Sequence, residues 1–304
     1  MSGVFFWVLN MSIIGGAAGI FILLLRKIRA IPRSVICYLW AIPFIRFTIP
    51  FIIESRFSIM NLVAKYAIKT VVVYEPVAFP IITMTNMLQT AERYFPIVYK
   101  TSLLENIFNI AATVWIIGFC AAFLTQLFLY ITTMAAIKDS VHIRDNIYIS
   151  KKIDSPAVYG IFRPKIILPQ NVNESDMEFI FLHENTHIRR LDNLVRFIAV
   201  LTACLHWFNP ITWICLKYFL IDNEIACDER VLKHCGEEKR KSYATAIFNC
   251  EAKRTIFVST FGGAKTKIRI ENILSYKQAT VFSTVCFIAF AAAIAYILLT
   301  NAAV

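Results

Sequence analysis

Charge is scarce in this chain. Only 17% of its 304 residues are Asp, Glu, Lys or Arg, against 58% hydrophobic, and the mean hydropathy is +0.62. A soluble domain carries roughly 25% charged and 45–50% apolar residues, so this balance points to a membrane protein before any motif is read. The eight cysteines include no Cys-x-x-Cys pair and show no secreted disulfide pattern. Cys37, Cys120 and Cys286 lie in apolar runs, and the set reads as reduced packing residues in a protein whose bulk faces a reducing compartment. The net charge of +11 comes without a dense Lys/Arg block interleaved with aromatics, which favours anionic lipid over nucleic acid as partner. Internal repeats and low-complexity tracts are also missing.

Four runs have the roughly 20 apolar residues that a bilayer crossing takes: residues 4–25, 34–53, 106–134 and 280–300. The first lacks a basic n-region and is followed, not preceded, by charge, so it does not read as a cleaved signal. Arg26, Lys27, Arg29 and Arg33 form a short acid-free loop, which is cytoplasmic by the positive-inside rule. The N-terminus and the loop 54–105 then lie outside. Residues 135–279, with 21 basic and 16 acidic side chains, lie inside. The expected organisation is three transmembrane helices in 1–134, a cytoplasmic domain in 135–279 and a fourth span in 280–304. Arg46, between Pro43 and Pro50 of the second span, is costly at that depth. It either snorkels from a kinked helix or serves helix contacts.

Within the cytoplasmic segment, residues 147–149 and 165–168 are predicted as short strands, punctuated by Gly160, Pro164 and Pro169. Asn173, Ser175 and Asp176 offer N-caps for a helix over 177–190, and a second helix is expected over about 221–235. The prolines of 155–169 suit an edge strand. Such an edge either takes an extended peptide by strand addition or is an ordinary hairpin edge.

Residues 183–187 read His-Glu-Asn-Thr-His. On a helix, positions i and i+4 share a face, so His183 and His187 can place two imidazole nitrogens on one zinc ion. Glu184 then lies beside the metal, where it can take a proton from a water whose pKa zinc lowers to roughly 7. This is the metalloprotease spacing. With five His and thirteen Glu in the chain, chance supplies only about 0.004 such patterns. The competing reading is a helix with two solvated or core histidines.

A catalytic zinc needs a third protein ligand and an open position. His142, His206 and His234 are available, but Glu224 in Asn-Glu-Ile-Ala-Cys-Asp-Glu-Arg (223–230) is the better candidate. Glu224 and Asp228 share a helical face, so Glu224 can bind zinc while Asp228 receives the outer N–H of a ligand histidine. Glu229, about 500° around the helix from Glu224, points elsewhere. The alternative is a solvated acidic face paired with Arg230 or Lys217.

Residues 194–221 are apolar enough to suggest a fifth crossing. His187 precedes the stretch and Glu224 follows it, and both must come within about 2 Å of one ion. A single passage through the roughly 30 Å hydrocarbon core forbids that. Asn209-Pro210 offers a break, predicting a hairpin of helices 192–207 and 210–222 that returns to the cytoplasmic side. Arg196, His206 and Lys217 would sit at protein contacts or the interface, with Trp207 and Trp213 anchoring the turn.

Together these residues resemble the BlaR/MecR-type membrane metallopeptidases, the signal transducers of beta-lactam-inducible resistance, over nearly the whole chain. The similarity rests on Leu39-Trp40, Arg46 through Pro50, Ser55-Arg-Phe-Ser58, Ser155-Pro156 through Gly160 and Arg163-Pro-Lys165. It continues in His183-Glu184-x-x-His187 with Arg189-Arg-Leu-Asp192, Trp207-Phe-Asn-Pro210, Glu224-x-x-Cys-Asp228 and Arg269-Ile-Glu-Asn-Ile-Leu274. Many proteases share the zinc motif alone; the combination is specific. The resemblance implies a gluzincin-like α+β protease domain in a mainly α integral membrane protein, with His183, His187 and Glu224 on zinc and Glu184 as base. It also implies site-specific proteolysis inside the cell, of the protein itself or of a transcriptional repressor, with residues 265–279 as a self-cleavage region or a plain amphipathic helix. The partners so implied are the lipid bilayer and a protein or peptide substrate. A second copy or a separate sensor protein remains open, and direct nucleic-acid contact is not expected. Asn185 stands where such motifs carry an apolar residue. No penicillin-binding sensor domain follows the fourth span, so covalent beta-lactam sensing is not expected. Two other readings stand beside this one: a non-catalytic membrane signalling subunit, and a quality-control protease for membrane proteins.

Overall fold

Apolar runs without internal proline become long helices. The computed structural model describes residues 2–28, 30–49, 54–58, 61, 82–83, 98–99, 102–170, 172–252, 256–277 and 280–302, and these are mostly helical. The chain begins with α1 (Ser2–Leu25), α2 (Arg33–Leu39) and α3 (Ala41–Thr48), then β1 (Glu54–Ser55), the paired strands β2 (Ile82–Thr83) and β3 (Val98–Tyr99), and α4 (Ser102–Ala136). A sheet follows, formed by β4 (Val141–Arg144), β5 (Ile147–Ser150), β6 (Ala157–Tyr159) and β7 (Lys165–Pro169). Then come α5 (Glu174–Arg189), α6 (Asp192–Leu205), α7 (Pro210–Cys235), α8 (Arg240–Ala252), α9 (Ile256–Ser275), α10 (Val281–Leu299) and β8 (Asn301–Ala302).

Three of the described helices are long and apolar enough to cross a membrane, over Gly3–Leu25, Ile107–Ala136 and Phe282–Leu299. The second expected span differs: it is divided between α2 and α3 at Trp40. Pro43 explains the break, because it lacks the N–H that would bond Leu39 and its ring crowds that carbonyl. Residues 50–53 of that span lie outside the described set.

Both ends of this helical assembly are tied by polar contacts. At one end, Arg26 Nε lies 3.0 and 2.9 Å from the two Asp222 carboxylate oxygens, and Trp40 Nε1 donates to Asp222 at 2.9 Å. Glu229 accepts the backbone N–H groups of Arg33 (3.2 Å) and Ser34 (3.0 Å), and the Ser34 hydroxyl as well, so it caps α2. At the other end, Arg46 serves helix contacts and does not snorkel. It is buried and donates to the carbonyls of Leu298 (2.8 Å) and Thr300 (2.6 Å) and to Asn301 Oδ1 (2.8 Å), closing the C-terminus of α10. There β1 and β8 pair in parallel, and Ser58 donates to Thr300 O at 2.5 Å.

The stretch 194–221 forms the expected hairpin, with one change. α6 ends at Leu205, Asn209 Oδ1 caps the next helix by accepting from Ile211 N at 2.9 Å, and Pro210 opens it. The second arm does not stop at 222. It runs unbroken to Cys235, because Asp222 and Asn223, weak helix formers on their own, have tertiary partners in Arg26 and Arg190. The turn lies beside the middle of the long apolar helices. Asn209 donates to Ser12 O (3.1 Å) and Oγ (2.8 Å), Trp115 Nε1 donates to Leu205 O (2.9 Å), and Trp207 Nε1 to Trp115 O (3.1 Å). His206 Nε2 donates to Phe47 O at 2.8 Å, and Trp213 Nε1 to Trp207 O at 3.0 Å.

Glycines permit this close approach. A Cβ on Gly15 would lie 2.5 Å from the Phe47 ring, and one on Gly19 would lie 2.4 Å from Cys215 Sγ. Gly15 and Gly19 stand four apart on α1, the small-residue spacing that lets membrane helices touch. One core therefore joins α1, α2, α6, α7 and α10, through Ile22, Trp40, Ala203, Cys215, Phe219 and Leu298.

The sheet has strand order β4-β5-β7-β6, with β5 and β7 parallel. Within the segment expected as an edge, only β6 is one; β7 is interior, paired on both sides. Ile166 and Leu168 of β7 pack against Ile180 and so seat α5. Residues 265–275 belong to α9, with Arg269 and Ile273 buried, while 278–279 lie outside the described set.

Candidate metal centre

His183, Glu184 and His187 are buried on one helix, α5. It starts at Asn173, whose backbone carbonyl accepts from Asp176 N at 3.0 Å; the Asn173 side chain makes no cap and donates to Asp176 Oδ2 instead (3.3 Å). At its other end Leu191, with φ of 56°, turns the chain in the left-handed region. That bend returns Asp192 to the helix it has just left, where it accepts the Nδ1–H of His187 at 2.5 Å. His183 Nδ1 meets the Tyr243 hydroxyl at 2.8 Å, and that hydroxyl donates onward to Asp228 Oδ1 at 2.7 Å. Asp228 Oδ1 itself is 3.3 Å from the same ring nitrogen.

These outer partners fix the tautomers. With both Nδ1 atoms donating, both Nε2 lone pairs point inward, and they face each other at 3.1 Å. Two lone pairs this close can share either a proton or a metal cation. Two ligand atoms each about 2.0–2.1 Å from one tetrahedral zinc stand roughly 3.3 Å apart, so the pair fits that ion. Glu224, from α7, faces the same point: Oε2 is 3.8 Å from His183 Nε2 and Oε1 is 3.9 Å from His187 Nε2.

Cys227 competes with Glu224 on distance alone, since donor atoms of His183, His187 and Cys227 lie within 4.8 Å of one another. Its Sγ, however, approaches His183 from the Nδ1 side (3.6 Å), which Tyr243 and Asp228 already occupy, and donates to His183 O at 3.5 Å. Glu224 faces both Nε2 atoms and Cys227 meets both imidazoles, so the histidine pair has a carboxylate and a thiol within reach. His142, His206 and His234 do not join: His142 is exposed and bonded to Asp145 O, His206 lies at the hairpin turn, and His234 is exposed near the end of α7. Glu229 points away, as its spacing predicts, and caps α2.

Two arginines complete the surroundings. Arg196 Nη2 lies 2.6 Å from Glu224 Oε1, and Arg269 Nη1 lies 3.2 Å from Oε2. Arg269 also grips Asp228 with Nε and Nη2, both at 2.8 Å, and its Nη2 is 3.3 Å from His183 Nε2. Glu184 is different. It is 7% exposed, yet among the described residues it meets no hydrogen-bonding or charged partner. A buried carboxylate is costly without a partner.

Burial opposes positive charge on both histidines, but their neighbours outweigh it. Cys227 and Tyr243, with Asp228, hold His183 well above the ordinary imidazole range. Cys227 with Asp192 and Glu224 lifts His187 to about 9. Burial raises the Cys227 thiol, and the two imidazoles reverse that and bring it to about 7. Burial also opposes ionisation of Asp228, but the Arg269 fork holds it well below the usual carboxylate range. Protons thus compete with any cation for the two Nε2 atoms.

Sequence reasoning did not assign Asp192, Tyr243, Arg196, Arg269 or Cys227 to the centre. Cys227 had a local signal, three residues after Glu224 on the same face. Asp192 follows His187 by five, but only the bend at Leu191 makes that spacing productive. Tyr243 and Arg269 arrive from α8 and α9; Arg269 opens a motif shared with the resembling family, and Tyr243 has no local signal.

A buried His-Glu-x-x-His helix facing a carboxylate has the spacing of a metallopeptidase, in a chain with long apolar helices. The chain matches the BlaR1 peptidase M56 family over residues 6–274 and belongs to it. It is 29% identical over 155 residues to the regulatory protein BlaR1 of Bacillus licheniformis, covering 47% of this chain and 26% of that protein. It is 31% identical over 105 residues to the methicillin resistance mecR1 protein of Staphylococcus aureus, covering 33% and 18%. With the Staphylococcus aureus regulatory protein BlaR1 it shares 25% over 149 residues, covering 45% and 25%. The matched region thus corresponds to about a quarter or less of these curated relatives.

Proposed function

We propose that this protein is a membrane-embedded zinc endopeptidase with a regulatory role. His183, His187 and Glu224 would hold the ion, with Asp192, Tyr243 and Asp228 orienting the imidazoles. The observation that carries the reading is the pair of Nε2 atoms 3.1 Å apart, with a Glu224 oxygen 3.8 or 3.9 Å from each. Zinc, when bound, supplies Lewis acidity to water and to a peptide carbonyl. Glu184 accepts the proton of the attacking water as its oxygen bonds the carbonyl carbon, then passes that proton to the amine nitrogen as the C–N bond breaks. The cytoplasmic side is favoured by the basic loop 26–33, whose Arg26 and Arg33 meet α7 at Asp222 and Glu229, on the helix that carries Glu224. On this reading residues 135–279 are the protease domain, and the substrate is a cytoplasmic protein, a transcriptional repressor or the chain itself. Because α9 is helical through Ser275, cleavage within 265–275 requires that helix to unwind first.

Purified wild type is expected to carry about one zinc per chain. His187→Ala and Glu224→Ala should lose the metal, measured by elemental analysis. Glu184→Ala should keep it and lose proteolysis, measured by mapping new protein termini in cells. Unchanged cleavage by Glu184→Ala sinks the mechanism. Retained signalling by that variant favours the non-catalytic signalling subunit instead.

A further inference from the structure

We propose that Arg196 is the carbonyl-binding donor of this site: its guanidinium hydrogen-bonds the oxygen of the scissile peptide group and stabilises the charge that develops there. The proposal rests on the peptidase reading above. Of the two arginines on Glu224, only Arg196 has donors to give. Arg269 is 4% exposed, and Nε, Nη1 and Nη2 are all committed to Asp228 and Glu224. Arg196 has a side chain 29% exposed and engages Glu224 through Nη2 alone. Its Nε is sealed from solvent and has no acceptor. A guanidinium carries five N–H donors in a rigid fork, so most of this one is unspent at the edge of the metal centre.

Its place in the fold points to the same role. Asp192 and Arg196 are i and i+4 on α6, so one helix face both orients His187 and presents the guanidinium to Glu224 Oε1. Between them, Asn193 donates to the carbonyls of Val158 (3.1 Å) and Gly160 (2.9 Å). The first turn of α6 thus ties the edge strand β6 to the metal centre. Arg196 issues from the helix that joins the surface where an extended peptide would pair to the groups that would cut it. A donor fixed in advance where charge develops binds the transition state better than the ground state.

Two probes separate this role from simple support of Glu224. Acetohydroxamate engages a bound metal through a planar group, with no tetrahedral atom in place of the attacked carbonyl carbon. An equimolar library of phosphinic pseudopeptides carries a tetrahedral phosphorus with two oxygens, which mimics the attacked carbonyl. With zinc-loaded full-length protein in detergent, Arg196→Gln is expected to keep one zinc and bind acetohydroxamate within twofold of wild type. It should bind the phosphinic library about 100-fold more weakly. Arg196→Lys, which keeps the charge without the fork, should fall between and covers the case of a Gln variant that does not fold. Equal weakening of both probes, loss of zinc, or unchanged phosphinic binding overturns the role of Arg196 alone. Failure of wild type to bind zinc or either probe overturns the peptidase reading and this role with it.

Discussion

At His187 the short bond from Nδ1 to Asp192 decides which nitrogen is left for a ligand, and at His183 the Tyr243–Asp228 pair does the same. Residue identity at these positions was legible where it depended on helical spacing. His183, His187 and Glu184 follow from one turn of helix, and Glu224 and Asp228 from another. Tyr243 was not legible, and Arg269 showed only as the start of a family-like motif, because a side chain that arrives from a separate helix has no sequence period to reveal its place. Glu229 shows how far spacing alone goes: it correctly turned the side chain away from Glu224, but gave no hint that it caps α2. Burial raises Glu229 above its ordinary value of 4.5, and the Ser34 and Arg33 donors only partly offset this. The folded chain therefore holds this proton to higher pH than the unfolded chain does. Stability from this group falls as pH rises from 4.5 through the raised value and stays lower beyond it. Glu229→Gln removes the charge and keeps an acceptor. Its unfolding midpoint in detergent, relative to wild type, should rise with pH across that window; a flat difference would show that burial does not penalise the carboxylate.

Among the elements, the strands at 147–150 and 165–169 and the helix carrying the histidines emerge from local pattern, although the side-chain cap expected at Asn173 does not form. Two elements do not. Residues 34–53 look like one span by hydropathy, but Pro43 breaks the helix at Trp40, whose indole is claimed by Asp222. α7 looks like two helices by composition, but Arg26 and Arg190 take up the polar side chains at 222 and 223 and the helix runs through. In the first case a proline that hydropathy ignores breaks the span; in the second a tertiary contact outranks propensity. The Gly15–Gly19 contact of α1 with Phe47 and Cys215 is of the same kind. Gly15→Ala and Gly19→Ala should each destabilise the protein by about 1–3 kcal/mol through overpacking, read as a lowered unfolding midpoint. Gly3→Ala, where the added Cβ meets nothing within 4 Å, is the control. Equal midpoints for all three would mean that the helices do not pack at this distance.

For the whole molecule, the need to bring His187 and Glu224 to one ion predicts a hairpin, and the hairpin is present, its turn against Ser12 and Phe47. What hydropathy does not disclose is how the hairpin shares a single core with α1, α2 and α10. Its two flanks should face one side of the membrane, together with the basic loop. Single cysteines at the exposed positions Lys27, Arg189 and Lys233, in a background without the eight native cysteines, should all react with a membrane-impermeant thiol reagent from the same side. Reaction of positions 189 and 233 from opposite sides removes both the hairpin and Glu224 from the metal centre.

From the Asn209 cap to Glu224, α7 is a continuous rod, about 22 Å long at 1.5 Å per residue. A rod delivers axial thrust undiminished from one end to the other. Its far end is lodged among apolar helices, and the two histidines stand on a different helix seated on the sheet. α6 shares that turn and holds His187 through Asp192, so a displacement of the turn reaches the imidazoles and Glu224 together.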